Sequence, residues 1–182
     1  RSTIGTSSMR RQSQLLYHRP DLNIAPIRGN LGTRINKLRR NQDYDALVVA
    51  AAGVQRMGYQ QSINAYLNHE VLLPGIGQGV IAVETKRNDT IVNDYVKAIN
   101  HSLTYQCICA ERTFNHLLQG DCSSAIGAYA YWHKPNTMCL HGMVGQHDGQ
   151  RLCYSRQTGN DPERLGKSVY DDIIKQGGSR LL

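Results

Sequence analysis

The sequence has few aromatic residues and no long apolar run. Phe, Trp and Tyr make up 7% of its 182 residues, with one Phe and one Trp, so few rings are present on which single-stranded nucleic acid could stack. The longest apolar run, residues 46–52, falls far short of the roughly 18 residues that suggest a membrane-spanning helix. The first residues contain neither an initiating methionine nor a secretion signal, so we expect the chain to begin within a longer protein. We predict neither a membrane nor a nucleic-acid partner.

Motifs for metal, disulfide and dinucleotide binding are absent as well. The five cysteines are odd in number and form no Cys-x-x-Cys pair, and the seven histidines show no His-x-x-x-His spacing. Residues 75–79 are rich in glycine but do not lead into a helix, so they do not predict a dinucleotide-binding loop. We predict no metal site and a reduced, cytoplasmic protein.

The first part of the chain has an α/β pattern, in which apolar runs and helix-like segments alternate at junctions of Gly, Ser or Thr. The predicted elements are a strand ending at Ile4, a helix over 9–17, a strand over 24–27, a helix from the turn at 29–33 to about Arg40, a buried strand over 44–51, and a helix after Gly53. Residues 72–79 then predict a crossover into a strand of another sheet at 80–83.

The second part predicts a small α+β unit. Its elements are helices from Thr90 and over 107–118, three antiparallel strands at 126–132, 138–144 and 151–157, and an amphipathic helix over 162–176. We place the domain boundaries at 1–72, 73–100 and 101–182. The first domain resembles an incomplete α/β domain of periplasmic-binding-protein type, and the last contains a three-stranded antiparallel sheet with helices.

The arginines are the most informative residues of a chain whose net charge is +7, which itself favours an anionic partner. Five of them fall at predicted strand-to-helix junctions: Arg10, Arg11, Arg28, Arg34 and Arg56. Because the carboxyl ends of parallel strands share one edge of a sheet, we expect these guanidinium groups to converge there. Guanidinium grips carboxylates and phosphates through paired hydrogen bonds, so the pattern predicts an anion-binding cleft. The alternative for any single arginine is a solvated surface position.

Cys122 differs from the other four cysteines because it lies in a polar turn, GDCSS at residues 120–124. Cys107, Cys109, Cys139 and Cys153 lie within periodic segments, which is typical of core residues. A loop thiol in a basic protein is a candidate nucleophile or attachment point, and the alternative is an ordinary loop cysteine.

Several strings of the sequence resemble, in order and spacing, the porphobilinogen deaminase family, also called hydroxymethylbilane synthases. They are GTSSMRRQ (5–12), HRPDL (18–22), IRGNLGTR (27–34), YDA (44–46), AAGVQRMG (51–58), LPGIGQG (73–79) and AER (110–112). The resemblance covers essentially the whole chain. It implies a monomeric, cytoplasmic transferase of porphyrin and heme biosynthesis, which joins porphobilinogen units head to tail with loss of ammonia to give hydroxymethylbilane.

The resemblance also implies roles for single residues. Cys122 matches the cysteine that holds a dipyrromethane cofactor through a thioether. Arg10, Arg11, Arg28, Arg34 and Arg56 match carboxylate-binding arginines, the first two at the cofactor and the others at the substrate and growing oligopyrrole chain. Thr6, Ser8, Gly77 and Gly79 are expected beside the cofactor.

Two departures from the family pattern bear on these expectations. The cofactor loop, GDCSSAI at residues 120–126, has Asp121 where the family has glycine and lacks the Pro-Ile that follows, so a further carboxylate lies near an anionic cofactor. The family's essential aspartate would precede Arg1, so we assign no catalytic acid or base and expect these 182 residues alone to be inactive. The alternative function is a non-catalytic anion-binding module of periplasmic-binding-protein type.

Overall fold

The computed structural model describes residues 1–40, 43–121 and 123–182. Strands and helices alternate in the first part: β1 (Thr3–Gly5), α1 (Met9–His18), β2 (Asn23–Ala25), α2 (Leu31–Arg40), β3 (Ala46–Leu47) and α3 (Ala51–Arg56), followed by a 3-10 turn at Gln60–Ser62. The second part contains α4 (Thr90–Ala98), α5 (Ser102–Leu118), β4 (Ile126–Lys134), β5 (Thr137–Gly145), β6 (Leu152–Gly159), α6 (Pro162–Lys175) and a 3-10 turn at Gly178–Leu181. The predicted mixed α/β class is confirmed.

The first three strands form a parallel sheet in the order β2-β1-β3. Ile4 of the central strand pairs with Ile24 on one side and with Ala46 on the other. All three strands run in the same direction, so the segments that follow them leave from one edge of the sheet. That edge is where the sequence predicts the arginines to gather.

The last three strands form an antiparallel sheet in the order β4-β5-β6, which confirms the predicted hairpins. Helices α5 and α6 contribute Phe114 and Val169 to the core between themselves and this sheet. Glycine is required at Gly142 of β5, because an added Cβ would lie 2.5 Å from Val169 and 3.0 Å from the Phe114 ring. This part of the chain holds most of the buried apolar side chains, so we regard it as the stable platform of the fold.

Two strand predictions are wrong. The strand predicted over 44–51 is confined to Ala46–Leu47, because it lies at the edge of the sheet and α3 already begins at Ala51. Residues 80–83 form no strand, since none of the described segments pairs with them, and Ile81 is 70% exposed. Helix α4, which follows them, also exposes its apolar residues, with Tyr95 at 76%.

No helix among the described residues has the length and apolar character needed to cross a membrane.

Candidate functional site: arginines around a glycine loop

The turn between β1 and α1 sets the direction of the first two arginines. Ser8 is the N-cap of α1, and its hydroxyl accepts a hydrogen bond from the Arg11 amide at 3.4 Å. The buried Thr6 hydroxyl in turn accepts from the Ser8 amide at 3.2 Å. These bonds place Arg10 and Arg11 in the first helical turn, at the carboxyl edge of the parallel sheet, as predicted.

Arg10 is buried, and its guanidinium points into the segment that joins the two halves of the chain. It donates to the Leu73 carbonyl and, at 3.1 Å, to Oε1 of Gln78. Burial lowers the pKa of Arg10 to about 10, and the charge of Arg11 acts in the same direction. Arg10 therefore remains a cation at neutral pH while its hydrogen bonds fix its position.

Arg11 and Arg34 lie within electrostatic reach of each other. Arg11 donates to the Val48 carbonyl at 2.8 Å, and Arg34 donates from Nε to the Gly29 carbonyl at 2.7 Å. Burial lowers the pKa of Arg11, and the charge of Arg34 lowers it further. Two like charges near each other favour the binding of an anion close to them.

Arg28 and Arg56 complete the predicted set, but with different surroundings. Arg28 is exposed just after β2, and its carbonyl accepts from Lys37 at 3.2 Å. The sequence places Arg56 at a strand-to-helix junction, which is wrong, because α3 begins at Ala51 and Arg56 is its last residue. Its guanidinium donates to the Gly79 carbonyl at 3.0 Å, which brings it to the same loop that Gln78 links to Arg10.

The hydrogen-bond partners of these arginines are neutral. The acceptors of Arg10, Arg11, Arg34 and Arg56 are carbonyl or amide oxygens. The ion pairs between described residues include those of Arg19 with Asp21, Lys97 with Asp94, and Lys167 with Asp171. The bonds that hold these guanidinium groups in place are therefore made to neutral oxygens, which leaves their positive charge to attract an anionic ligand.

Residues 75–79, here called the glycine loop, connect both halves of the chain. Gly77 and Gly79 have φ values of 67° and 91°, a region that glycine favours, and an added Cβ at either would meet no atom within 4 Å. The backbone of the loop is thus open to approach from solvent. Leu73 anchors the segment before it, because its amide donates to the Gln14 side chain at 2.6 Å and its carbonyl accepts from the same side chain at 3.1 Å.

Sequence reasoning assigned no role to Gln14, Gln78 and Glu111, which organise this junction. Glu111 of α5 is buried, and its carboxylate accepts from the Gly77 amide at 2.8 Å and from the Ala130 amide at 2.9 Å. Burial raises the pKa of Glu111 to about 7, against the opposing effect of the two amide donors. The sequence does contain a signal for Glu111, because it is a charged residue at a position of α5 where the helical spacing predicts an apolar one.

A cavity of about 860 Å³ lies beside two of the five predicted arginines, and the other three do not line it. Its wall includes Arg10, Arg11, Val48 and Gln78, and Tyr129 and His69 close another side. Apolar and cationic groups therefore share one space, which suits a ligand that has both flat apolar rings and acidic substituents.

Cys122, the predicted attachment residue, lies outside the described residues. Of its neighbours, Asp121 accepts at Oδ1 from the amide and hydroxyl of Ser123, at 2.8 and 2.6 Å, and from those of Ser124, at 3.0 and 3.1 Å. These bonds, those of the Ser123 side chain first, lower the pKa of Asp121 to about 2. His147 donates from Nε2 to the Ser123 carbonyl at 3.1 Å, and its own carbonyl accepts from Gln12 at 3.0 Å. The turn is thereby tied to α1, one residue from Arg11.

Among the described residues, no group of three or more His, Cys, Asp and Glu side chains is arranged to hold a metal ion.

Two family models match the chain. Residues 1–94 match the model described as "Porphobilinogen deaminase, dipyromethane cofactor binding domain", and residues 105–175 match "Porphobilinogen deaminase, C-terminal domain". Together they include the arginines, the glycine loop and Cys122.

Curated proteins named porphobilinogen deaminase are similar over nearly the whole chain. The Brevibacillus brevis protein is 40% identical over 179 residues, or 98% of this chain, and a Bacillus cereus protein is 41% identical over 180 residues, also 98% of this chain. The Staphylococcus carnosus protein is 40% identical over 182 residues, which is 100% of this chain. The chain spans 58% of the length of the first two relatives and 59% of the third.

Proposed function

The chain belongs to the porphobilinogen deaminase family, and from this premise we propose that it carries the cofactor and oligopyrrole site of a hydroxymethylbilane synthase. The proposed reaction joins porphobilinogen units head to tail. Each step breaks the C–N bond of an aminomethyl group, forms a C–C bond to a pyrrole ring carbon and releases ammonia, which takes up the hydrogen of that carbon. Four added units leave as the linear tetrapyrrole hydroxymethylbilane when water splits the C–C bond to the cofactor, its hydroxyl going to the methylene carbon and its hydrogen to the cofactor ring carbon.

The observation that carries this proposal is the set of arginines whose partners are neutral oxygens. Each pyrrole ring of the proposed chain carries an acetate and a propionate, and both are carboxylates that guanidinium binds through paired hydrogen bonds. We assign Arg10, Arg11, Thr6, Ser8, Gly77 and Gly79 to the cofactor and Arg28, Arg34 and Arg56 to the substrate and the growing chain. The residues present therefore suit an anionic polypyrrole.

In this proposal the dipyrromethane is linked to Cys122 by a thioether and supplies the pyrrole ring to which new units are added. The residues of this chain bind and orient. Arg10, held by Leu73 and Gln78, presents a fixed cation to a carboxylate, so little side-chain freedom is lost on binding. The open backbone of Gly77 and Gly79 lets a ring approach closely. We assign no acid or base to the described residues.

The domain organisation belongs to the same proposal. Residues 1–72 would form an α/β domain of periplasmic-binding-protein type, and residues 101–182 a domain that carries the cofactor cysteine. Residues 73–100 would form a crossover segment that rejoins the first domain of the family fold, a domain that this chain does not match. The exposed apolar side chains of this segment support the assignment, since Ile81 and Tyr95 are 70% and 76% exposed.

We also propose a cytoplasmic monomer. The cysteines in the described ranges, Cys107, Cys109, Cys139 and Cys153, are free, as expected in a reducing compartment. Size-exclusion chromatography with light scattering checks the oligomeric state, and a dimer mass would contradict the proposal.

The experiment that tests this function is intact-mass spectrometry with peptide mapping of Cys122. Two proteins are compared after incubation with porphobilinogen: the 182-residue chain, and a chimera in which the chain replaces the matching region of the Bacillus cereus relative. We expect the chimera to carry an adduct of two pyrrole units on Cys122 and to release ammonia. Cys122→Ser should abolish the adduct, whereas the control Cys109→Ser should retain it.

The alternative is a non-catalytic anion-binding module of periplasmic-binding-protein type, which the same arginines and the parallel sheet would serve. That function predicts reversible carboxylate binding without an adduct. A bare Cys122 thiol in the chimera, together with no ammonia release, would overturn the enzyme proposal in favour of this module.

A further inference from the structure

The carboxylate of Glu111 joins two segments that are distant in sequence. One oxygen accepts from the Gly77 amide at 2.8 Å, and the other accepts from the Ala130 amide at 2.9 Å. The side chain is 4% exposed, so water does not easily replace either bond. Glu111 is thus a clamp between the glycine loop and β4.

The position of Ala130 explains why this clamp is needed. β4 is an edge strand of its sheet, and alternate amides along an edge strand point away from the neighbouring strand. Two successive outward amides are satisfied at this junction: that of Ala128 donates to the Pro74 carbonyl at 3.1 Å, and that of Ala130 donates to Glu111. Residues 74–77 and Glu111 therefore cover the edge of the antiparallel sheet together.

The clamp continues to the arginines. Oε1 of Gln78, the next residue after Gly77, accepts from Arg10 at 3.1 Å, and the Gly79 carbonyl accepts from Arg56 at 3.0 Å. The glycine loop thus has Glu111 on one side and two cations on the other. If the bond to Gly77 were lost, the loop would keep its bonds to the arginines and, through the adjacent Pro74 carbonyl, one bond to β4, but it would lose its bond to α5.

The surroundings of Glu111 do not otherwise require a carboxylate. Cys107, one turn earlier on α5, has its pKa raised to about 11 by burial and by the charge of Glu111. Arg10 directs its donors to Leu73 and Gln78 instead of Glu111. Within the described part of the chain, no ion pair involves Glu111. A carboxylate buried in this way is costly, and the two amide donors offset part of that cost.

We infer that Glu111 is a positioning residue for the proposed cofactor site, which fixes the glycine loop, and through it Arg10 and Arg56, against the antiparallel sheet. Only one part of the inference rests on the proposed function, namely the identity of the ligand that binds at the glycine loop. The linkage between Gly77, Glu111 and Ala130 is testable without that ligand.

The carboxylate form is essential to this role. Both carboxylate oxygens accept from a backbone amide, Gly77 at one and Ala130 at the other. A protonated carboxyl or a Gln amide replaces one of these acceptors with a donor, which cannot bind an N–H group, so only one of the two bonds survives. Since burial places the pKa of Glu111 at about 7, the linkage has a pH signature near neutrality.

The first test is an amide NMR titration of the 182-residue chain from about pH 5.5 to about pH 8.5. We expect the Gly77 and Ala130 amides, which are distant in sequence, to shift with one common midpoint. The shared titration should vanish in Glu111→Gln and persist in the control Glu163→Gln, which removes the same charge from an exposed position on α6. Different midpoints for the two amides in the unsubstituted chain would overturn the inference, and this outcome does not depend on whether a variant folds. A shared titration that persists in Glu111→Gln would also overturn it.

The second test measures the rate of adduct formation on Cys122 in the chimera. We expect Glu111→Gln to slow loading at least tenfold and Glu163→Gln to leave it unchanged. Equal loading by the two variants would refute the positioning role while leaving the proposed function intact. If the two amides share a titration but the chimera never acquires an adduct, the proposed function is refuted, together with the ligand assigned to the glycine loop. The linkage of Gly77 and Ala130 through Glu111 would still stand.

Discussion

Arg10 of α1 donates to the side chain of Gln78 at 3.1 Å, which couples the first turn after the parallel sheet to the glycine loop. The same guanidinium also binds the Leu73 carbonyl. A cation that a cofactor would use is therefore also a structural link between the two halves of the chain.

Replacement of Arg10 by Leu should reduce cofactor loading strongly while the fold persists. The Leu73 carbonyl keeps its bond from Gln14, so the loss falls mainly on Gln78 and on the bound carboxylate. Hydrogen bonds to charged groups contribute about 1.5–3 kcal/mol, so we expect loading in the chimera to fall about 10- to 100-fold. Arg19→Leu, at an exposed ion pair, is the matched control. Equal loading of the two variants would contradict the role of Arg10.

Glycine substitutions should have opposite effects on stability in the glycine loop and in α3. Gly77 has a φ of 67°, so Gly77→Ala should lower the free energy of unfolding by about 1–2 kcal/mol through backbone strain, although the Cβ meets no neighbour. Gly53 lies inside α3 and also has open space, so Gly53→Ala should raise it by about 1 kcal/mol. Urea denaturation of both variants measures the difference. A stabilised Gly77→Ala variant would show that the loop is not held in this conformation.

The sequence predicted the antiparallel sheet and α6 closely because their signals are local. Alternating apolar residues and the turns near 133–136 and 147–150 suffice to set hairpins, and the observed strands differ from the predicted ones by no more than two residues at either end. The strand predicted at 80–83 failed for the opposite reason. A strand needs a neighbour, and hydrophobicity alone does not reveal whether one is present.

The sequence predicted the cationic residues of the candidate site but not the residues that hold them in place. Strand-to-helix junctions identified Arg10, Arg11 and Arg34, because parallel strands deliver their carboxyl ends to one edge. Glu111 contacts a loop 34 residues away in sequence. That contact depends on how α5 packs against the junction, which no local pattern encodes.

Glu111 should make the stability of the chain fall as the pH rises. Its folded pKa of about 7 exceeds its ordinary value of 4.5, so the folded state binds the proton more tightly. The stabilisation is complete below the ordinary value and is lost as the pH rises through about 7, by on the order of 3 kcal/mol at about 1.4 kcal/mol per pKa unit. The difference in unfolding free energy between the unsubstituted chain and Glu111→Gln, measured across this range, isolates the effect. A difference that does not change with pH would show that the carboxyl titrates normally.

His141 should have the opposite pH dependence. Its Nδ1 contacts the Tyr154 hydroxyl, and its buried Nε2 has no hydrogen-bond partner among the described residues. Burial, followed by the charges of Arg156 and His69, lowers its pKa to about 4 from 6.5. The stabilisation is therefore present above 6.5 and is lost as the pH falls through about 4. An NMR titration of the His141 ring measures the midpoint, and a midpoint near 6.5 would contradict the burial effect.

Asp121 should hold its turn together through the hydrogen bonds that one of its carboxylate oxygens accepts. Its Oδ1 accepts four hydrogen bonds, from the amide and the hydroxyl of Ser123 and from those of Ser124. Asp121→Asn keeps an acceptor oxygen and should preserve the turn, whereas Asp121→Ala removes it and should not. Amide hydrogen exchange at Ser123 and Ser124 should therefore be unchanged in Asp121→Asn and faster in Asp121→Ala. If the carboxylate also repels an anionic cofactor, Asp121→Asn should load Cys122 faster in the chimera than the unsubstituted protein does. Slower loading in Asp121→Asn with unchanged exchange would show instead that the charge assists attachment, and the departure from the family's glycine would then be a favourable one.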